Sequence, residues 1–218
     1  MTTAKLLFPE WVNRARLVAG IPLAGAPLYL LVLLYFAGAP STTDVGYSPE
    51  QPVAFSHRVH AGQMGLDCRY CHTTVETAAF AAVPPTSFCL NCHRTIAPDV
   101  KGMEPVRQSA QSGGPIRWVR VHDLPDYVYF DHRAHVGRGV GCVSCHGRID
   151  SMERVYQVKT LSMGWCLECH RDPAPHLRPL ALVTDLGWTA DEDPRQLGQR
   201  LMEEMKISPS TDCSACHR

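Results

Sequence analysis

Net charge is the first thing this sequence lacks: its 21 Lys and Arg are offset by 21 Asp and Glu across 218 residues. A balanced chain offers no broad basic face to a phosphate backbone, so no nucleic-acid partner is expected. Also missing is any cysteine outside a Cys-x-x-Cys pair, although the chain holds ten. A disulfide scaffold or a set of zinc knuckles is the usual reading of so many cysteines. Beyond one N-terminal run there is no long apolar stretch, and a polar chain with 17 prolines and 16 glycines cannot bury much core by itself.

What is present is a histidine directly after every pair. The five sets are Cys68/Cys71/His72, Cys89/Cys92/His93, Cys142/Cys145/His146, Cys166/Cys169/His170 and Cys213/Cys216/His217. With 11 histidines in the chain, five such successions by chance have a probability on the order of 10^-7, whereas Cys-x-x-Cys-His is the pattern of c-type haem attachment. Two thiols three positions apart can add to the two vinyl groups of one haem, and the adjacent histidine is then held as its proximal iron ligand. Zinc and disulfide readings do not require that histidine. The sequence therefore implies five covalent haem c groups, whose macrocycles would supply the missing core.

The apolar run, Leu17 to Ala39, has no charged residue and is long enough to cross a bilayer as a helix. Pro22 and Pro27 are expected to bend it rather than abolish it. Lys5, Arg14 and Arg16 precede it and no Lys or Arg follows until Arg58, which places the N-terminus in the cytoplasm and the rest on the periplasmic side of the cell inner membrane. A cleaved signal peptide is the alternative, since Ala37-Gly38-Ala39 resembles a cleavage site. Against it stand the length of the run and the following Pro40.

The chain repeats itself. Phe55-Ser-His57-Arg-Val-His60 precedes Cys68, and Phe130-Asp-His132-Arg-Ala-His135 precedes Cys142, 75 residues further on. Each half then carries two haem motifs, the second ending Cys-His-Arg. The expected organisation is a cytoplasmic segment (1–16), a transmembrane anchor (17–39), a linker (40–54), a first di-haem module (55–97), an inter-module loop (98–121), a second di-haem module (122–180) and a C-terminal helix with the fifth motif (181–218). That helix starts at Asp193-Pro194, a cap followed by proline, and carries Leu197, Leu201 and Met205 as a stripe for a haem or the second module. The fold class is a multihaem cytochrome c, mostly coil with short helices around five haems plus one transmembrane helix.

Six histidines lie outside the motifs, nearly the number needed as distal ligands. In Phe-x-His-x-x-His the two histidines share one helical turn and point the same way, so His57, His60, His132 and His135 are expected to reach haems held side by side. His122 is the fifth candidate. His176, Met152 and Met163 are alternatives, methionine being the ligand that would raise a haem's potential.

The segment FSHRVHAGQMGLDCRYCH resembles the small multihaem cytochromes of the c7/c3 type. With the N-terminal anchor, the segments VHDLPDYVYFDHRAH and LSMGWCLECHR and the fifth motif, the whole chain resembles the pentahaem cytochrome subunit of alternative complex III. The resemblance implies a bacterial complex that oxidises quinol and passes electrons to a periplasmic acceptor. It also implies as partners an iron–sulfur subunit, integral membrane quinol-binding subunits and a mono-haem cytochrome c. No catalytic residue of the chain's own is expected. Two other functions stand beside this one: a membrane-anchored multihaem quinol dehydrogenase, and a multihaem reductase with an open haem site.

Overall fold

The computed structural model describes residues 9–39 and 42–217. Lys5 and Pro40, which bear on the orientation and the cleavage site, lie outside them. The chain divides into two compact units with the boundary at Thr43/Asp44.

The first unit is one helix, α1, Glu10–Ala37. It starts two turns before the charge-free run and continues through Pro22 and Pro27. Each proline withholds one i→i−4 hydrogen bond, and an exposed apolar helix tolerates the loss where its neighbours remain paired. Residues Arg14–Ala37 have a mean hydropathy of 2.2 and, at 1.5 Å per residue, extend about 36 Å. That is long and apolar enough to cross a membrane, and a signal sequence meets the same description.

The second unit has no named strand among the described residues, only isolated antiparallel bridges Val128↔His217 and Val140↔Leu177. A π-helical turn over Arg58–Gln63 leads to α2 (Cys68–Cys71), α3 (Thr86–His93), α4 (Glu104–Ser112), α5 (His132–Val136), α6 (Cys142–His146), α7 (Met163–Arg171), α8 (Pro194–Met205) and α9 (Cys213–Cys216). Short 3-10 turns intervene at Ile149–Ser151, Ala174–His176 and Leu180–Leu182.

Two expectations change. The inter-module stretch contains α4: Pro105 sits in its first turn and Gly113, at φ 71°, ends it. Proline at a helix start and glycine just past its end are start and stop signals rather than breakers, and Met103 and Val106 pack with Val53 in a small core. The expected linker is also not free. Gly46 N donates to Gln157 O (2.8 Å) and Gln157 N to Tyr47 O (3.1 Å), while Gln51 exchanges two hydrogen bonds with the backbone of Val119. The packed unit thus begins near Asp44 instead of Phe55.

Helix α8 begins as expected, with the Asp193 side chain accepting from Arg195 N and Gln196 N. It packs on the Ala174–His176 turn, where Gly198 lies so close to the Ala174 carbonyl that a Cβ would collide with it. The Leu197, Leu201 and Met205 stripe is half-buried beside that contact.

Apolar cores are small. One gathers Val53, Met103 and Val106, the other Val75, Val136 and Val183; the largest fully buried side chains are Val106 and Val183. A unit of this size ordinarily buries far more.

Candidate functional site

The five Cys-x-x-Cys-His motifs occupy two kinds of helix. In the first and third the pair spans a single turn, α2 and α6, and the fifth sits on the similar α9. In the second and fourth it forms the C-terminal part of a longer helix, α3 or α7. Helical spacing of three puts both thiols of a pair on one side with the histidine beside them. Caps set the turns: Asp67 accepts from Arg69 N at 2.8 Å, and Ser162 accepts from Trp165 N at 3.3 Å. Side-chain hydrogen bonds from Arg69 hold the Asp67 carboxyl down at about 2. Among the described residues no cysteine is in a disulfide, and no three Cys, His, Asp or Glu converge on a bare metal position.

The two Phe-x-His-x-x-His segments have closely matching local geometry. Phe55 lies edge-on to His57 (4.9 Å, 87°) and flat on His60 (4.3 Å, 26°); Phe130 does the same to His132 (4.8 Å, 87°) and His135 (4.5 Å, 29°). The phenylalanine therefore packs on the histidines themselves. His60 Nδ1 donates to Ser56 O and His135 Nδ1 to Asp131 O, both at 2.8 Å.

These carbonyl contacts recur. His72 Nδ1 donates to Ala82 O (2.8 Å), His132 Nδ1 to Ala79 O (2.8 Å), His170 Nδ1 to Ser210 O (2.6 Å) and His217 Nδ1 to Tyr127 O (3.2 Å). A ring with its proton fixed on Nδ1 keeps the Nε2 lone pair free for a metal. Burial pushes His57 down to about 4, with help from His72 and His60, and His146 down to about 3, with His122 and His132 adding to it. Burial also lowers His122 and His135. The Nδ1 atoms of His57 and His93 and Nε2 of His122 are buried without a partner.

Three pairs of rings face each other at a common spacing. His60 and His93 have centroids 6.1 Å apart, His132 and His146 6.4 Å, and His135 and His170 6.1 Å. An imidazole nitrogen bonds a first-row metal at about 2.0–2.1 Å, so two rings sharing one ion from opposite sides stand about 6 Å apart. His122 lies only 4.5 Å from His146, perpendicular to it. His176 is exposed, in the wall of a cavity of about 250 Å³ with Arg178 and Trp188. Met163 is 67% exposed at the start of α7, and Met152 is buried in packing. The residues present thus fit haem c: paired thiols, rings with a free nitrogen, orphaned buried nitrogens, and a core too small without it.

Intervening residues link the motifs in an order different from the sequence. Tyr70, inside the first, lies 5.9 Å from Phe88 of the second. Cys68 Sγ approaches Thr184 O at 4.0 Å while Cys142 N donates to the adjoining Val183 O at 2.9 Å, joining first to third. Helix α5 carries His132 beside His146 and His135 beside His170, joining third to fourth. The His170–Ser210 bond leads from the fourth to the segment before Cys213. The carbonyl acceptors were invisible in the sequence, because every residue type offers one.

A fold built from short helices around paired thiols and facing imidazoles defines a class, and comparison with known proteins agrees: residues 128–218 match cytochrome c7 and related cytochromes c. The chain belongs to the multihaem c-type cytochromes, which bind haem c covalently. A relative in Nitratidesulfovibrio vulgaris, the multiheme cytochrome c subunit of menaquinone reductase, is 30% identical over 172 residues, which is 66% of this chain and 80% of the relative.

Proposed function

We propose that this chain is a five-haem electron relay within a quinone-linked membrane complex of the alternative complex III type. Bound haem c supplies a one-electron couple at iron. The observation that carries the proposal is the contiguous series of attachment motifs, second, first, third, fourth, fifth. A chain that only needed haem for bulk would have no reason to set each motif against the next. Cys68, Cys71, Cys89, Cys92, Cys142, Cys145, Cys166, Cys169, Cys213 and Cys216 hold the five groups, and His72, His93, His146, His170 and His217 serve as proximal ligands. His60, His132 and His135 stand opposite His93, His146 and His170 as distal ligands. His57, which burial and the neighbouring His72 lower, serves the first motif, and His122 is the remaining candidate.

In this reading α1 anchors the chain with its N-terminus in the cytoplasm and the haem unit on the periplasmic side. An iron–sulfur subunit, quinol-binding membrane subunits and a mono-haem cytochrome c are the partners, and electrons pass from quinol to a periplasmic acceptor. The name of the N. vulgaris relative favours a second direction, in which the same relay feeds electrons toward menaquinone. Mass spectrometry of the purified chain should give the polypeptide plus five haems. Stopped-flow mixing separates the directions: in the intact complex, haem reduction by a quinol analogue supports the first, and haem oxidation by the quinone supports the second. An isolated chain that oxidised quinol unaided would overturn the relay in favour of a dehydrogenase.

A further inference from the structure

The Gly139-Val140-Gly141 segment before Cys142 is built around one side chain, Arg178. Arg178 N donates to Gly139 O (2.9 Å), and Val140 bridges to Leu177. At Gly141 the guanidinium occupies the space a Cβ would take, so any side chain immediately before the cysteine would have to displace it. Arg178 is 8% exposed. Its Nη1 donates to Asp185 O at 2.8 Å and its Cζ lies 5.2 Å from the centre of the Trp188 ring. Its Nε is buried with no partner among the described residues, and it makes no ion pair with them.

Desolvation of a buried cation is unfavourable and is ordinarily offset by a counter-charge, and no carboxylate of the described residues pairs with Arg178. Burial lowers the affinity of Arg178 for its proton, yet a guanidinium starts so high that it stays charged at neutral pH. The carboxylate whose field reaches it, Asp185, is exposed and accepts from Gly187 N at 3.0 Å. A fixed positive charge in a poorly screened site acts strongly on a neighbouring centre that gains or loses charge. It disfavours the ferric state, which carries one more positive charge than the ferrous.

We propose that Arg178 is a positioning residue whose buried charge raises the reduction potential of the haem held by Cys142 and Cys145. The proposal rests on reading that motif as a haem site, and counting haems by mass on each protein tests that reading separately. Redox titration of the full haem-loaded chain then tests the charge. Arg178→Gln should lower one component of the titration and leave the others in place, while Arg178→Lys should keep most of the wild-type value. The shifted component should be the one missing from a Cys142→Ala/Cys145→Ala variant. Asp185→Asn, which removes the opposing field, should move the same component upward by a smaller amount. It decides the matter if Arg178→Gln does not load haem: an unchanged titration then overturns the proposal. Equal shifts in the Gln and Lys variants would also overturn it, since they would mark a packing effect without any role for charge.

Discussion

The two Phe-x-His-x-x-His repeats share a clamp and differ in the charges placed beside it. Phe55 and Phe130 meet their histidines at distances that agree within a few tenths of an ångström. Yet the residue before the first cysteine is Asp67 in one module and Gly141 in the other. Asp67 brings an ionised carboxylate balanced by Arg69; Gly141 makes room for the buried Arg178. His132 is tied to Ala79 across the modules, whereas Nδ1 of its counterpart His57 has no partner. On the proposed reading, the repeat keeps the parts that would hold a cofactor and varies the charges beside them, which sets like haems in unlike fields.

The largest effect should come from breaking the shared clamp. His60→Ala and His135→Ala should each convert one haem to the high-spin form and raise its potential, because donation from the lost ring no longer favours ferric iron. Electronic absorption and electron paramagnetic resonance read this directly, and haem content should stay intact. Matching responses in the two variants would establish the modules as functional copies. An all-low-spin spectrum in either would remove that histidine from the ligand set.

The second test sharpens the difference. Gly141→Ala drives a methyl group into Arg178 and should destabilise the haem-loaded protein by about 1–3 kcal/mol, the usual range for overpacking. Asp67→Ala, at the equivalent place, removes a cap, a solvent-screened pair with Arg69 and a hydrogen bond from Thr184 but creates no clash, and should lose about 1 kcal/mol. Chemical denaturation of both proteins compares them, and equal losses would show that Arg178 yields more easily than its surroundings suggest.

The smallest effect is the pH dependence that Asp67 contributes. The Asp67 carboxyl is lowered on folding, so its contribution is present above the unfolded value, near 4, and is lost as pH falls through the folded value of about 2. Between those limits Asp67→Asn should flatten part of the acid-induced loss of stability seen in wild type. The contribution is small, because Asp67 is 42% exposed and its pair with Arg69 is screened by solvent. An identical acid profile for Asp67→Asn would assign the low value of Asp67 no role in folding.

Much of the haem chemistry was legible because Cys-x-x-Cys-His is a local pattern, and so was the repeat. The Asp193-Pro194 helix start was also readable, since a cap and a proline act within one turn. What failed was longer in range. Pro105 and Gly113 looked like loop residues until Met103 and Val106 were seen packing on Val53, whose own segment looked like a linker. Ala79, Ala82 and Ser210 serve through carbonyls that carry no sequence signal. Arg178 lies 36 residues from the cysteine it faces and belongs to no motif. The order of contact among the motifs follows from tertiary packing alone.

The small apolar cores around Val106 and Val183 have a consequence for the living cell. A chain with so little of its own to bury should be open to proteases until haem is attached and durable only afterwards. Its standing amount should then follow haem supply and the attachment machinery more closely than transcription. Iron starvation should remove the protein before it slows its synthesis.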